Sequence, residues 1–199
     1  QMVQHTTMQI MCYLLGQEQR KKQQRLETTY FIVGKCNLRE IFNMVEFDYK
    51  LDYKNTLFTS NDKRYRIGRG EQGVLLVRPY TNDICKHWRF KTPSEATVSS
   101  KKILTLYDKY KKQKDFVGMD MCRKFLEMGF TRARRYANHK DGNKYDENGN
   151  VKPQEPDWNT SEKAVSARIF KKVRDQVASD PVYKQMRKEW RESEHILSA

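Results

Sequence analysis

FDYKLDYK, residues 47 to 54, alternates without a break: Phe47, Tyr49, Leu51 and Tyr53 fall on one side of an extended chain, and Asp48, Lys50, Asp52 and Lys54 on the other. Successive strand side chains point to opposite faces, so this is the pattern of a strand with one face buried. Two short β-rich runs follow at 65–67 and 74–77, on either side of the turn-forming run GRGEQG at 68–73, and 87–90 reads as a further strand. The expectation is a small antiparallel sheet in the first part of the domain.

Helical signals take over from Thr92. Thr92-Pro93-Ser94-Glu95 combines a capping threonine, a proline at the first helical position and a glutamate that completes a capping box. Ala96, Ile103, Leu106, Tyr107 and Tyr110 recur behind it at helical spacing, and the basic run 109–114 suits a helix C-terminus. Asp115 caps a second helix carrying Val117, Met121 and Phe125, with Asp120 and Lys124 paired on its wet face and Gly129 as its stop. A short third helix spans 131–139. Beyond it, Asn148-Gly149 reads as a hairpin turn between Lys144-Tyr145 and Val151-Lys152. Asn159 and Glu162 open a helix with Val165, Ile169, Val173 and Val177 on one stripe. Asp180-Pro181 restarts the chain as a last helix, with Val182, Met186 and Trp190 toward the core and Lys184, Arg187, Lys188 and Arg191 toward solvent. The fold class expected is α+β, a small antiparallel sheet followed by about five helices.

With 199 residues, 37% hydrophobic and 12% aromatic, the chain suits one ordinary domain with a real core and is too aromatic for a disordered basic tail. Residues 1–43 show no sustained periodicity and contain a Gln-rich basic run at 17–25, so Met44 reads as the start of a single domain, 44–199. On this reading 1–43 is an N-terminal extension that need not belong to the natural product. Lys and Arg outnumber Asp and Glu by 39 to 25, and 33 of the basic and 22 of the acidic residues follow Met44, so +11 of the +14 excess belongs to the domain. Such an excess favours nucleic acid, anionic lipid or an acidic protein. Cys12, Cys36, Cys85 and Cys122 are scattered without zinc spacing, which fits a reducing compartment. The apolar patches at 8–16 and 30–34 fall well short of the roughly 20 residues a bilayer span needs, and the first lacks the flanks of a signal peptide. No membrane association and a cytoplasmic location are expected.

The strings FDYKLDYKN (47–55), YRIGRGEQGVLLVRPY (65–80), HWRFKTP (87–93), DFVGMDMCRKFLEMGFTRARRYANHK (115–140) and SARIF (166–170) resemble the family catalogued as domain of unknown function 4385. The similarity covers about 47–190 and excludes 1–43. It implies a setting in bacteria or in tailed phages of cyanobacteria, and it transfers no catalytic residue, because the family has no established activity.

Gly68, Gly70 and Gly73 form G-x-G-x-x-G, but a dinucleotide site needs a helix after the last glycine, and residues 74–77 read as a strand. A kinase-type phosphate loop would need V-A-I-K, H-R-D and D-F-G strings that the chain lacks. A tight glycine turn is the simpler reading. The third helix is the sharper signal: at about 100° per residue, Phe130, Ala133 and Ala137 gather on one face and Arg132, Arg135, Tyr136 and His139 on the other, with Arg134 at the border and Lys140 just beyond. Guanidinium forks match phosphate oxygens, and a phenol can bond a phosphate or stack on a base. The plainer alternative is a solvated basic face satisfied by Asp141 or Glu127.

His87, Trp88 and Arg89 form another group, in which alternation puts His87 and Arg89 on one side and Trp88 and Phe90 on the other. His87 and His139 with Glu71 or Asp120 would supply acid and base only if they converge. Asp141, Asn143, Asp146 and Asn148 offer oxygen ligands but miss the glycine and glutamate of a calcium loop, so neither metal nor cofactor is expected. The leading expectation is a nucleic-acid-binding accessory protein that grips phosphates through Arg132, Arg135, Tyr136, His139 and Lys140 on the third helix and Lys184, Arg187, Lys188 and Arg191 on the last. The alternatives are an interaction protein for an acidic partner and an enzyme acting on a phosphorylated or nucleic-acid substrate.

Overall fold

Two aspartates decide what becomes of FDYKLDYK. In the computed structural model, which describes residues 47–196 (side chains to 194), Asp48 Oδ1 accepts from the Lys50 backbone N–H at 2.8 Å, and Asp52 Oδ1 accepts from those of Lys54 and Asn55 at 3.2 and 3.3 Å. Such Asx turns give the backbone a local partner in place of a neighbouring strand. The segment therefore coils. Phe47 and Tyr53 stack at 5.5 Å between ring centroids, while Tyr49, expected on the same inner face, is 65% exposed.

The expected antiparallel sheet is not there: among the described residues no strand forms, and the only bridges are isolated, Leu57 with Arg78 and Tyr145 with Val151. Residues 65–67 show why. Their backbone groups are taken by side chains of the last helix: Ile67 N–H donates to Glu194 Oε1 (2.7 Å), Arg191 donates to the Ile67 carbonyl (2.9 Å) and Trp190 Nε1–H to that of Tyr65 (3.3 Å). Residues 71–76 are successive turns, with Val74 N–H on the Glu71 carbonyl (3.1 Å) and Leu76 N–H on that of Gly73 (2.9 Å). Val74 and Val77 are both buried, the spacing of a turn rather than a strand.

Five helices follow: α1 (Tyr80–Cys85), α2 (Pro93–Lys112), α3 (Phe116–Asn138), α4 (Glu162–Ser179) and α5 (Pro181–Ile196). The capping box opens α2 as expected, Thr92 accepting from the Glu95 N–H at 3.2 Å and Glu95 accepting from that of Thr92 at 2.9 Å. Asp115 caps α3 through the Gly118 N–H at 3.2 Å. Gly129 does not end that helix, and the separate helix expected over 131–139 is its continuation. A Cβ on Gly129 would stand 2.4 Å from Cδ1 of Phe170, so the glycine serves a close crossing with α4. The cap of α4 is Ser161 rather than Asn159, and its most buried stripe is Ala164, Ala167, Phe170 and Val177. On α5 the core side is Tyr183, Trp190 and Glu194, whereas Val182 is 44% exposed.

Helix α3 packs against all four of the others, and 14 of its 23 residues are buried, so it is the central element. These residues fall in one compact unit, Val45–Ala199; the expected extension 1–43 lies outside the described residues. The expected turn at Asn148-Gly149 is present, with Gly149 at φ +81 and Lys152 N–H on the Lys144 carbonyl at 2.9 Å.

Candidate functional site

The densest polar cluster is sealed inside the fold. Asp120, on α3, is fully buried; its carboxylate accepts from the hydroxyls of Tyr65 and Tyr183, the latter at 2.5 Å, and from Arg123 Nε at 2.9 Å. Lys124 Nζ and Arg187 each stand 3.7 Å away. The Asp120–Lys124 pair expected on a wet face is thus dry. Burial alone would raise the Asp120 pKa, but Arg123, Lys124 and Arg187 outweigh it and hold the carboxyl below the usual carboxylate range. Burial pushes Lys124 the other way, down to about 8. Lys124 also donates to the Gln72 carbonyl (2.9 Å) and Arg123 to that of Gly70 (3.3 Å). A phosphate cradle needs inward N–H groups, whereas the glycine run here turns carbonyls toward cations. Asp120 is inaccessible as an acid or base, so this cluster holds the loop to the core.

The exposed chemistry gathers where α3 ends. Its last turns carry Arg132, half-buried, and Arg135 and Tyr136, exposed, with Lys140 exposed just past the end. Neither guanidinium is bonded among the described residues: Asp141, one carboxylate that could have satisfied them, pairs with Lys152 at 2.5 Å, and Glu127 pairs with Arg174 at 2.5 Å. Ala133 and Ala137 are buried beneath, as the helical wheel predicts. His139 differs from expectation. It is 6% exposed, and its Nδ1, like Oδ1 of Asn138, has no partner among the described residues.

Two clefts adjoin there. The first, of about 430 Å³, is lined by Trp88, Arg89, Phe90, Lys91, Tyr136 and Lys163. The second, of about 850 Å³, lies between the end of α3 and the 144–152 turn, with Phe130, Arg134, Arg135, Asn138, His139, Lys144, Tyr145 and Lys152 in its wall. Gly142 joins them: it belongs to the second wall and lies against the Tyr136 ring, where a Cβ would come within 2.7 Å of Cε1. Among the described residues seven cations line the pair of clefts, and no Asp or Glu does. Arg134, the border residue of the helical wheel, stacks over Trp158 at 4.4 Å.

The last helix contributes less than its sequence suggested. Lys184 and Lys188 are exposed, but Arg187 turns toward Asp120, and Arg191 is tied to Ile67 and to Glu194 at 3.2 Å. His87 lines neither cleft, and Glu71 is engaged by the Thr131 hydroxyl at 2.7 Å, so the two histidines and a carboxylate do not meet at the clefts. Asp146 Oδ1 accepts from the backbone N–H groups of Asn148 and Asn150 at 2.9 and 2.8 Å, and its Oδ2 from Asn150 Nδ2 at 3.3 Å. Among the described residues no group of three or more His, Cys, Asp or Glu could hold a metal, Cys85 and Cys122 are free thiols, and no helix is long and apolar enough to cross a membrane.

Lys91, Lys144, Lys152 and Lys163 escaped the sequence reading because they are brought to the clefts by loops and by the start of α4. The alternating aromatic and basic residues of HWRFK, 87–91, were the one local signal for the first cleft: the Trp88 and Phe90 rings lie 4.9 Å apart on one side, although no strand forms.

Fold and site together define a class, a helical domain built around one buried central helix that ends in basic, aromatic clefts. The chain belongs to the family described as domain of unknown function (DUF4385), which matches residues 48–193. No curated protein and no solved structure matches it.

Proposed function

We propose that this protein binds nucleic acid through its phosphates, as an accessory protein in the cytoplasm of a bacterium or of a phage-infected host cell. The observation that carries the reading is the pair of clefts at the end of α3, lined among the described residues by seven cations and by no carboxylate. Apart from Lys152, which Asp141 pairs, these cations have no ion-pair partner among the described residues, and a polyanion that binds them releases its condensed counterions to solution and so gains affinity. Arg135, Tyr136 and Lys140 form the centre of the footprint, with Arg132 beside them. Lys184 and Lys188 add a second basic patch on α5, whereas Arg187 and Arg191 serve the interior. An acidic protein would meet the same cations, and is the second reading.

Replacing Arg132 and Arg135 together with alanine removes two phosphate contacts. The slope of log affinity against log salt should become shallower by roughly 1.8 units on duplex DNA, or 1.4 on a single strand. Binding should weaken alike across unrelated sequences, since phosphate contacts position without reading bases. The thermal midpoint should hold, because Ala133 and Ala137 keep the helix seated. If the intact protein has no affinity for DNA or RNA at about 50 mM salt, where electrostatic binding is favoured, the nucleic-acid reading fails and the acidic-partner reading replaces it.

A further inference from the structure

The first cleft contains more aromatic surface than phosphate binding requires. Phe90 sits between Trp88, 4.9 Å away between centroids at 49° between planes, and Tyr136, 6.1 Å away at 31°. The Trp88 indole is fixed by its N–H on the Phe125 carbonyl at 3.1 Å, so it is a rigid wall. Lys163 is held by donating to the Lys91 carbonyl at 2.7 Å, with its ammonium 5.3 Å from the Phe90 centroid. Tyr136, 40% exposed, forms the rim nearest the second cleft.

From this geometry we infer that the Trp88–Phe90–Tyr136 cleft takes an unpaired base of a single-stranded nucleic acid, while the strand's phosphates run on past Arg135 into the second cleft. The inference rests on the nucleic-acid reading above and narrows it. Every base presents a π face that stacks on an aromatic ring without regard to sequence, and flanking cations track the backbone. A duplex keeps its bases inside its own stack and offers the rings nothing. An acidic peptide gains nothing from them either, since a ring face is the negative side of its quadrupole and repels a carboxylate. A volume of about 430 Å³ lies within the range of small-ligand sites and holds a base.

The test compares three ligands at about 50 mM salt: an oligothymidylate of about twelve nucleotides, an abasic deoxyribose-phosphate strand of the same length, and a duplex of that length. Binding is read by anisotropy of a labelled strand. The intact protein should prefer the oligothymidylate to the equally charged abasic strand by about tenfold, the size of one good base–aromatic stack. Tyr136→Ala should remove most of that preference while leaving affinity for the abasic strand in place; should it not fold, Phe90→Leu carries the same comparison. Equal affinity for the two strands, or a preference that survives both substitutions, overturns the base-stacking cleft and leaves phosphate binding standing. Failure of all three ligands to bind overturns both readings.

Discussion

Gly70 and Gly73 share a positive φ, +56 and +76, but only one of them is crowded. A Cβ on Gly73 would stand 2.2 Å from Cζ of Phe47, whereas none of the described residues comes within 4 Å of one on Gly70. Alanine at Gly70 should therefore cost only the left-handed backbone strain, about 1 kcal/mol. At Gly73 it should cost about 3 kcal/mol, since Phe47 must also leave its stack on Tyr53. Urea unfolding of the two variants checks the difference. Saturable ATP binding by the intact protein, lost in either variant, would instead restore the phosphate-loop reading that the inward carbonyls of Gly70 and Gln72 argue against.

At the scale of the helix, α3 runs unbroken through a glycine that resembles a stop. The sign of one substitution separates the two roles of Gly129. In an ordinary helix interior Gly→Ala stabilises by about 1 kcal/mol. Against Phe170 the added methyl meets ring carbons at 2.4 and 2.6 Å, and the crossing of α3 and α4 has to open. Gly129→Ala should lower stability by about 2 kcal/mol, with helical circular dichroism unchanged. A variant as stable as the parent would mean that the crossing is slack. Continuity matters for the candidate site, because Arg132 to Tyr136 are then held on the buried stem of the central helix.

Across the whole molecule, loop, central helix and last helix converge on Asp120 and Lys124, and this makes stability depend on pH. Lys124 titrates near 8 when folded and near 10.5 when unfolded. Between those values the unfolded chain retains a proton that the folded one has released, so stability rises with pH. Between pH 7.5 and 9.5 the unfolding free energy of the intact protein should gain about 2 kcal/mol on that of Lys124→Met, while the buried Cys122 thiol, pushed above its usual range, works against the rise in both proteins. Tyr65 and Tyr183 act in the opposite sense: burial raises both above the ordinary 10.0, so folded tyrosines keep protons that unfolded ones lose, and stability falls above about pH 10. Parallel profiles for the two proteins through pH 9.5 would show that Lys124 keeps its proton in the fold.

Local chemistry was enough to determine the caps of α2 and α3, the turn at Asn148-Gly149, the basic helical face over Arg132–Tyr136 and the family to which the chain belongs. All of these except the family, which strings spread over 47–170 carry, depend on residues within a turn or two of one another, where spacing is geometry. The alternation of FDYKLDYK looked equally local, yet period two marks a strand only if a partner takes the backbone. Here Asp48 and Asp52 take it first, and residues 65–67 are claimed by Trp190, Arg191 and Glu194 from the far end of the chain. Tertiary structure alone decided that Arg187 and Arg191 turn inward, that His139 is buried, and that Lys91, Lys144, Lys152 and Lys163 meet Tyr136 and Arg135. A side chain's exposure and charge partners depend on which distant segments pack beside it, and no period in the sequence records that.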